Sequence, residues 1–256
     1  MKKTFLLSCL MLAAMPVMAA YTGHVYVDKN KNGVFDQSEK PLAGIKVSDG
    51  LNVVETAADG SFTLPGHERE RFIFITTPSG YKTFNRHYHK IEKKQSGYDF
   101  DLIPYSGRIR KDGSHRYIHI TDTEIFNTEN HADWVNNVHD YARNEQAAFI
   151  IHTGDICYEK GLKAHIKLMN TENMDCPVFY CIGNHDLVKG KYGEELFESI
   201  YGPVYYSFDA GNVHYVVTPM PGGDHAPGYT SDDVCRWLKN DLTHIRPGTP
   251  VVVFNH

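Results

Sequence analysis

Five short apolar runs in the second half of the chain, 117–121, 149–153, 178–182, 213–218 and 251–255, are separated by segments whose apolar residues recur at three- and four-residue spacing. The spaced sets are Trp134, Val138 and Tyr141; Leu162, Ile166 and Met169; Tyr192, Leu196 and Ile200; and Val234, Trp237 and Leu238. Short runs of this kind read as buried strands, and the spacing reads as helices with one apolar face. Their alternation restricts the region after residue 106 to an α/β layered domain, with a sheet largely covered on both faces.

Four of these runs end on residues able to bind a metal: Asp122-Thr123-Glu124, Gly154-Asp155, Gly183-Asn184-His185-Asp186 and His256. Open α/β folds place their chemistry at the carboxyl ends of strands. A single Asp or Asn at such a point is explained as a helix cap, but four in one domain exceed that need. Two Asp, a Glu, an Asn and a His mix hard oxygen with imidazole, which suits Mn, Fe or Zn better than calcium. Two such cations side by side neutralise phosphate oxygens, activate a bound water and align attacker with leaving group, so the expected chemistry is phosphoester hydrolysis.

The residues before this region follow a different pattern. Runs at 24–27, 44–47, 61–64 and 72–75 are separated by turn formers such as Asp49-Gly50 and Asp59-Gly60, which predicts a small β-sandwich over residues 21–105. Within it, Asp28-Lys29-Asn30-Lys31-Asn32-Gly33, continuing to Glu39, satisfies the spacing of a calcium loop. Side chains of Asp28, Asn30, Asn32, Asp36 and Glu39 and the carbonyl of Val34 are the expected ligands, between flanks that read as strands. The alternative is a polar turn without an ion. At the start of the chain, Met1-Lys2-Lys3, an apolar run over 5–17 and Met18-Ala19-Ala20 have the order of a secretory signal peptide over residues 1–20. Export to the periplasm, the cell surface or the medium is expected, with no membrane span after cleavage.

At its strand-end motifs the region 114–256 resembles the calcineurin-like metallophosphoesterases, whose pattern runs D-x-H, GD, GNH[DE], an isolated His after an apolar strand, and GHxH. Gly154-Asp155 and Gly183-Asn184-His185-Asp186 match in order and in strand-end context. The resemblance implies that Asp155 bridges two metals, Asp122 binds the first, and Asn184 and His256 bind the second. It further implies that His185 protonates the leaving oxygen or stabilises the phosphate, with Asp186 orienting its ring. Two departures stand out. The first motif ends in Glu124 in place of His, and GHxH is absent, so the phosphoesterase domain is expected to be the N-terminal portion of a longer one. Gly154-Asp155-Ile156-Cys157-Tyr158 and Val253-Phe254-Asn255-His256 also resemble GDxxY and VxxH of the purple acid phosphatases, so the position is filled by Glu124, filled by Tyr158 or left vacant, with Tyr158 otherwise a packed aromatic.

A net charge of −5 supplies no general basic field, so nucleic acid is not an expected partner and a phosphoester substrate is. Cys157, Cys176, Cys181 and Cys235 are too sparse for a disulfide framework and read as buried small residues. His24, His87, His89, His119, His152, His165 and His214 fall outside the motifs and are assigned surface or core duty, whereas His225 is a candidate for a substrate entrance. A competing function, motivated by Glu124 and the missing GHxH, is an exported adhesion or carbohydrate-binding protein on a decayed phosphoesterase fold. Oligomeric state and natural substrate are not encoded in these patterns.

Overall fold

Alternating side chains in the first part of the chain produce short strands: β1 (Tyr21–Val27), β2 (Lys40–Pro41), β3 (Lys46–Ser48), β4 (Val53–Glu55), β5 (Ser61–Leu64), β6 (Phe72–Ile75), β7 (Tyr81–Thr83), β8 (Tyr88–Lys90) and β9 (Phe100–Pro104). The computed structural model describes residues 20–36, 38–84, 86–105 and 108–256, so the expected leader, apart from Ala20, lies outside the described residues. β1 pairs antiparallel with β2 and β5 and parallel with β9, and β7 adds to β9. A second, antiparallel sheet has the order β4-β3-β6-β8. The two sheets enclose one apolar core, to which the first contributes Val25, Leu64 and Phe100 and the second Val47, Ile73 and Ile75.

The 28–39 loop connects β1 to its antiparallel partner β2. Asp28 is buried and accepts hydrogen bonds from the backbone N–H groups of Lys31, Asn32 and Gly33. Buried Glu39 accepts from the N–H groups of Lys29 and Asp36. Asp36 receives the side-chain amides of Asn30 and Asn32, while Val34 lies exposed. Carboxylates thus draw the loop closed through its own amides.

The later region contains β10 (Tyr117–Ile120), α1 (His131–Asn144), β11 (Phe149–His152), α2 (Tyr158–Leu168), β12 (Val178–Tyr180), α3 (Glu195–Tyr201), β13 (Tyr206–Ala210), β14 (Val213–Val217), α4 (Ser231–Thr243) and β15 (Val251–Phe254). β10, β11 and β12 form a parallel sheet. β13 and β14 form a hairpin, and β15 lies parallel to β14. The expected strands and helices are present, but β13 was not among them, although Gly211-Asn212 is a two-residue hairpin turn that marks it. Three further expectations change. β11 and β12 are buried throughout, but on β15 Val251 and Val253 are 42% and 51% exposed, so the sheets are not covered everywhere. Tyr141 lies on the solvent side of α1 and Tyr192 precedes α3. Cys235 is exposed, unlike Cys157, Cys176 and Cys181.

β6 joins the two regions because both of its faces are buried. Ile73 and Ile75 enter the N-terminal core, whereas Phe72 and Phe74 pack into the second region with Phe179, Phe208 and Trp237. Burying each such side chain is worth about 1.5–3 kcal/mol, so docking of the two regions is itself core formation. Polar contacts reinforce it: Arg71 pairs with Glu194 at 2.8 Å and Glu198 at 2.9 Å, and Asn240 donates to the Leu51 carbonyl.

A charge chain, buried at His214 and Asp241, crosses the same seam. Lys46 on β3 lies 3.2 Å from Asp209, Asp209 lies 2.6 Å from Nδ1 of His214, and Nε2 of His214 lies 2.8 Å from Asp241. Ser207 donates to Asp241 and exchanges a hydrogen bond with Thr76 of the N-terminal region. Burial disfavours the His214 cation, but hydrogen bonds and charge from Asp209 and Asp241 outweigh it and raise the imidazole to about 9. A folded-state value above that of free histidine, about 6.5, means this contribution to stability is complete below about pH 6.5 and is lost as pH rises through about 9. Urea midpoints measured across that interval are expected to fall with rising pH in the native chain, and His214→Gln is expected to start lower and lose most of that slope.

Candidate metal centre

The parallel order of β10, β11 and β12 brings their carboxyl ends to one edge. Their loops continue the ladder beyond the strands: the N–H of Asp122 donates to the Gly154 carbonyl, that of Glu124 to Asp155, and that of Ile125 to Ile156. These loops are strained. Asp122, Glu124, Asp155, Cys157 and Tyr158 have φ of 52°, 40°, 51°, 93° and 45°. Left-handed conformations of this kind cost about 1–3 kcal/mol each in non-glycine residues and persist where surrounding structure enforces them. The GD and GN glycines make the approach possible. A Cβ at Gly154 would lie 2.5 Å from the Gly183 nitrogen, and one at Gly183 would lie 2.2 Å from the Asp155 nitrogen.

Two groups of candidate ligands result, Asp122, Asp155 and His256 on one side and Glu124, Asp155 and His185 on the other, with Asp155 common to both. Within each, one donor atom per residue lies within 4.8 Å of the others. Asp155 is buried, its Oδ1 accepts the N–H of His185 at 3.0 Å, and its Oδ2 faces Nε2 of His256 at 3.4 Å and Nδ1 of His185 at 3.5 Å.

The donors fit cations. Nδ1 of His256 lies 2.7 Å from the Thr153 carbonyl, which only accepts, so this nitrogen carries the proton. In the neutral ring Nε2 then turns a lone pair towards the oxygens of Asn184, at 3.2 Å, and Asp155. Nδ1 of His185 is buried without a hydrogen-bond partner, 3.4 Å from the Glu124 carboxylate. Carboxylate and imidazole groups converging around a buried carboxylate form a donor set that suits a cation.

The geometry brings the expected residues together in two groups. His256 joins Asp122 because its ring is tied to Thr153, immediately before the Gly154-Asp155 turn, and Asn184 stands beside it. His185 joins Glu124. Asp186 does not orient that ring: its two oxygens accept the N–H groups of Cys157 and Gly183, both at 2.9 Å, binding two ligand loops together. Burial pushes its carboxyl up to about 6 against the opposing pull of those amides. Tyr158 donates its hydroxyl to Asp224 at 3.2 Å, and its ring stacks on His185 at 5.4 Å. The hydroxyl is therefore engaged with Asp224, and Glu124 is the group aimed at Asp155 and His185. His225 is exposed on the loop containing Asp224.

Two supporting histidines had been assigned only surface or core duty. His152 is fully buried, accepts the Gly154 N–H at Nδ1 and hydrogen-bonds Thr123 through Nε2, tying the first two ligand loops. Burial, followed by neighbouring imidazoles, holds it well below its ordinary value and therefore neutral. His119 hydrogen-bonds the Thr153 hydroxyl. The available signal was position alone: His152 precedes Gly154-Asp155 by two residues, and period-two alternation turns it to the same side of the strand.

Gly154→Ala forces both a clash and φ +95° on an L side chain. Its Mn²⁺ affinity by calorimetry is expected to fall by about tenfold or more. Gly44→Ala, with φ +72° and no neighbour within 4 Å, is expected to leave affinity unchanged.

Residues 115–256 match the family model described as calcineurin-like phosphoesterase, and residues 29–104 match that described as the N terminal of calcineurin-like phosphoesterase. A search of curated proteins finds no match to the chain. The first of these models covers more than half the chain and includes both ligand groups, and the chain belongs to the calcineurin-like phosphoesterase family, whose members typically use a dinuclear metal site.

Proposed function

We propose that this protein is an exported hydrolase of phosphomonoesters or phosphodiesters acting through two transition-metal ions, Mn, Fe or Zn. The observation that carries this reading is the buried Asp155 carboxylate shared by two ligand groups at the ends of parallel strands. Asp155 would bridge the ions, with Asp122, Asn184 and His256 on one side. Glu124 would serve on the other, where the family pattern has histidine. Bound there, the ions supply charge neutralisation for the phosphate and an activated water. Asn184 adds an oxygen ligand without adding negative charge beside an anionic substrate. His185, whose side chain is partly exposed, turns Nδ1 inward and leaves Nε2 to pass a proton to the departing oxygen.

Export rests on the order of charge, apolar run and small residues over 1–20, and no helix among the described residues is long and apolar enough to cross a membrane. We assign residues 21–105 to a β-sandwich and 106–256 to the phosphoesterase region. In the 28–39 loop, Asp28, Asn30, Asn32, the Val34 carbonyl, Asp36 and Glu39 would hold a structural Ca²⁺.

Hydrolysis of p-nitrophenyl phosphate and bis-p-nitrophenyl phosphate with Mn²⁺, Fe²⁺ or Zn²⁺ supplied is expected to fall by about a hundredfold or more in Asp155→Ala. Background rates in both proteins would count against the reading. For the loop, Ca²⁺ at about a hundred times its Kd is expected to stabilise the protein by about 2.7 kcal/mol in thermal melts, with no effect on Asp28→Ala.

A further inference from the structure

Two large aromatic rings, one on the loop after β10 and one at the first residue of α2, remain exposed beside the candidate ligand groups. Phe126 is 58% exposed and Tyr158 is 42% exposed. Their centroids lie 5.9 Å apart, and Tyr158 in turn stacks on His185 with an interplanar angle of 17°. Neither ring is placed loosely. Phe126 follows Glu124 in a tight turn, its N–H donating to the Glu124 carbonyl, while Ile125 between them is buried. Tyr158 is held by its N–H to the His185 carbonyl and its hydroxyl to Asp224, with φ of 45°. Exposing apolar rings in a strained, hydrogen-bonded arrangement is costly, and such surface marks contact with a ligand.

We infer that Phe126 and Tyr158 form a stacking subsite for a flat, unsaturated group on the alcohol portion of the phosphoester. This rests on the proposed phosphoesterase reading, in which His185 meets the departing oxygen: the alcohol then emerges directly over the ring stacked on His185. Flat π-systems stack or meet edge to face at the centroid separations found here. The carboxylates of Glu124 and Asp224 flank the rings, so the group received is uncharged rather than a further anion. An aryl alcohol and a nucleoside both satisfy this chemistry, and they differ in the sugar that separates base from phosphate.

The test is calorimetric binding of phenylphosphonate, methylphosphonate and adenosine monophosphate to the Mn²⁺-loaded protein. Phenylphosphonate is expected to bind about tenfold more tightly than methylphosphonate. This preference is expected to shrink to within about twofold in Phe126→Ala and Tyr158→Ala and to persist in Tyr158→Phe, which keeps the ring. Adenosine monophosphate binding more tightly than phenylphosphonate identifies the nucleoside as the source of the flat group, and the reverse identifies a simple aryl ester. Equal binding of the two phosphonates to the native protein, or a preference that survives both alanine variants, overturns the subsite while leaving the phosphoesterase reading intact. Binding of none of the three compounds overturns both. Because Phe126 is largely exposed, its alanine variant tests the subsite without disturbing the core.

Discussion

A carboxylate buried at the junction of three loops is an unstable arrangement unless positive charge meets it, and the second region is organised around that problem at Asp155. The loop after β11 carries it in a left-handed turn, and the loop after β12 approaches so closely that only glycine fits at 154 and 183. Asp186 closes this approach from below by accepting one amide from each loop. His152 closes it from the side of the first loop. Strain at five non-glycine residues is concentrated where these ties are densest, as expected of a preorganised candidate metal centre.

The N-terminal region is part of this rigidity. Because β6 has an apolar residue at every position, it cannot face water on either side, and its two alternating sets of side chains serve two cores. The chain Lys46, Asp209, His214, Asp241 adds directional charge contacts across the same seam. The Lys46–Asp209 pair and the Thr76–Ser207 hydrogen bond form in one registration of the two regions and anchor the buried His214–Asp241 pair to it. The sheet that carries β13 and β14 is thereby fixed, and with β14 its parallel neighbour β15, which ends at Phe254, two residues before His256.

Much of the site was legible in sequence because strand-end polar residues interrupt a periodic apolar pattern. Asp122, Asp155, His185 and His256 were identified that way, and the structure brings all four within the two ligand groups. Glu124 was recognised as a departure from the family pattern, and the structure places it beside His185. Asp186 was misassigned because adjacency in GNHD suggests a His–Asp pair, whereas neighbouring side chains on a tight turn diverge and this one points to backbone amides. His152 was given only surface or core duty and Tyr158 was left as an alternative ligand for a related reason: a residue type states what a side chain is able to do and leaves open what faces it.

By itself the sequence determined the alternation of strand and helix, the two-region division, and the set of polar residues delivered to one sheet edge, because these depend on periodicities of two and 3.6 along the chain. Only the tertiary structure decided which candidate ligands share a side with Asp155, that β6 serves two cores, and that Phe126 and Tyr158 meet beside His185. Those outcomes depend on distances between residues tens of positions apart, which follow from how strands pair and loops are strained rather than from any local pattern.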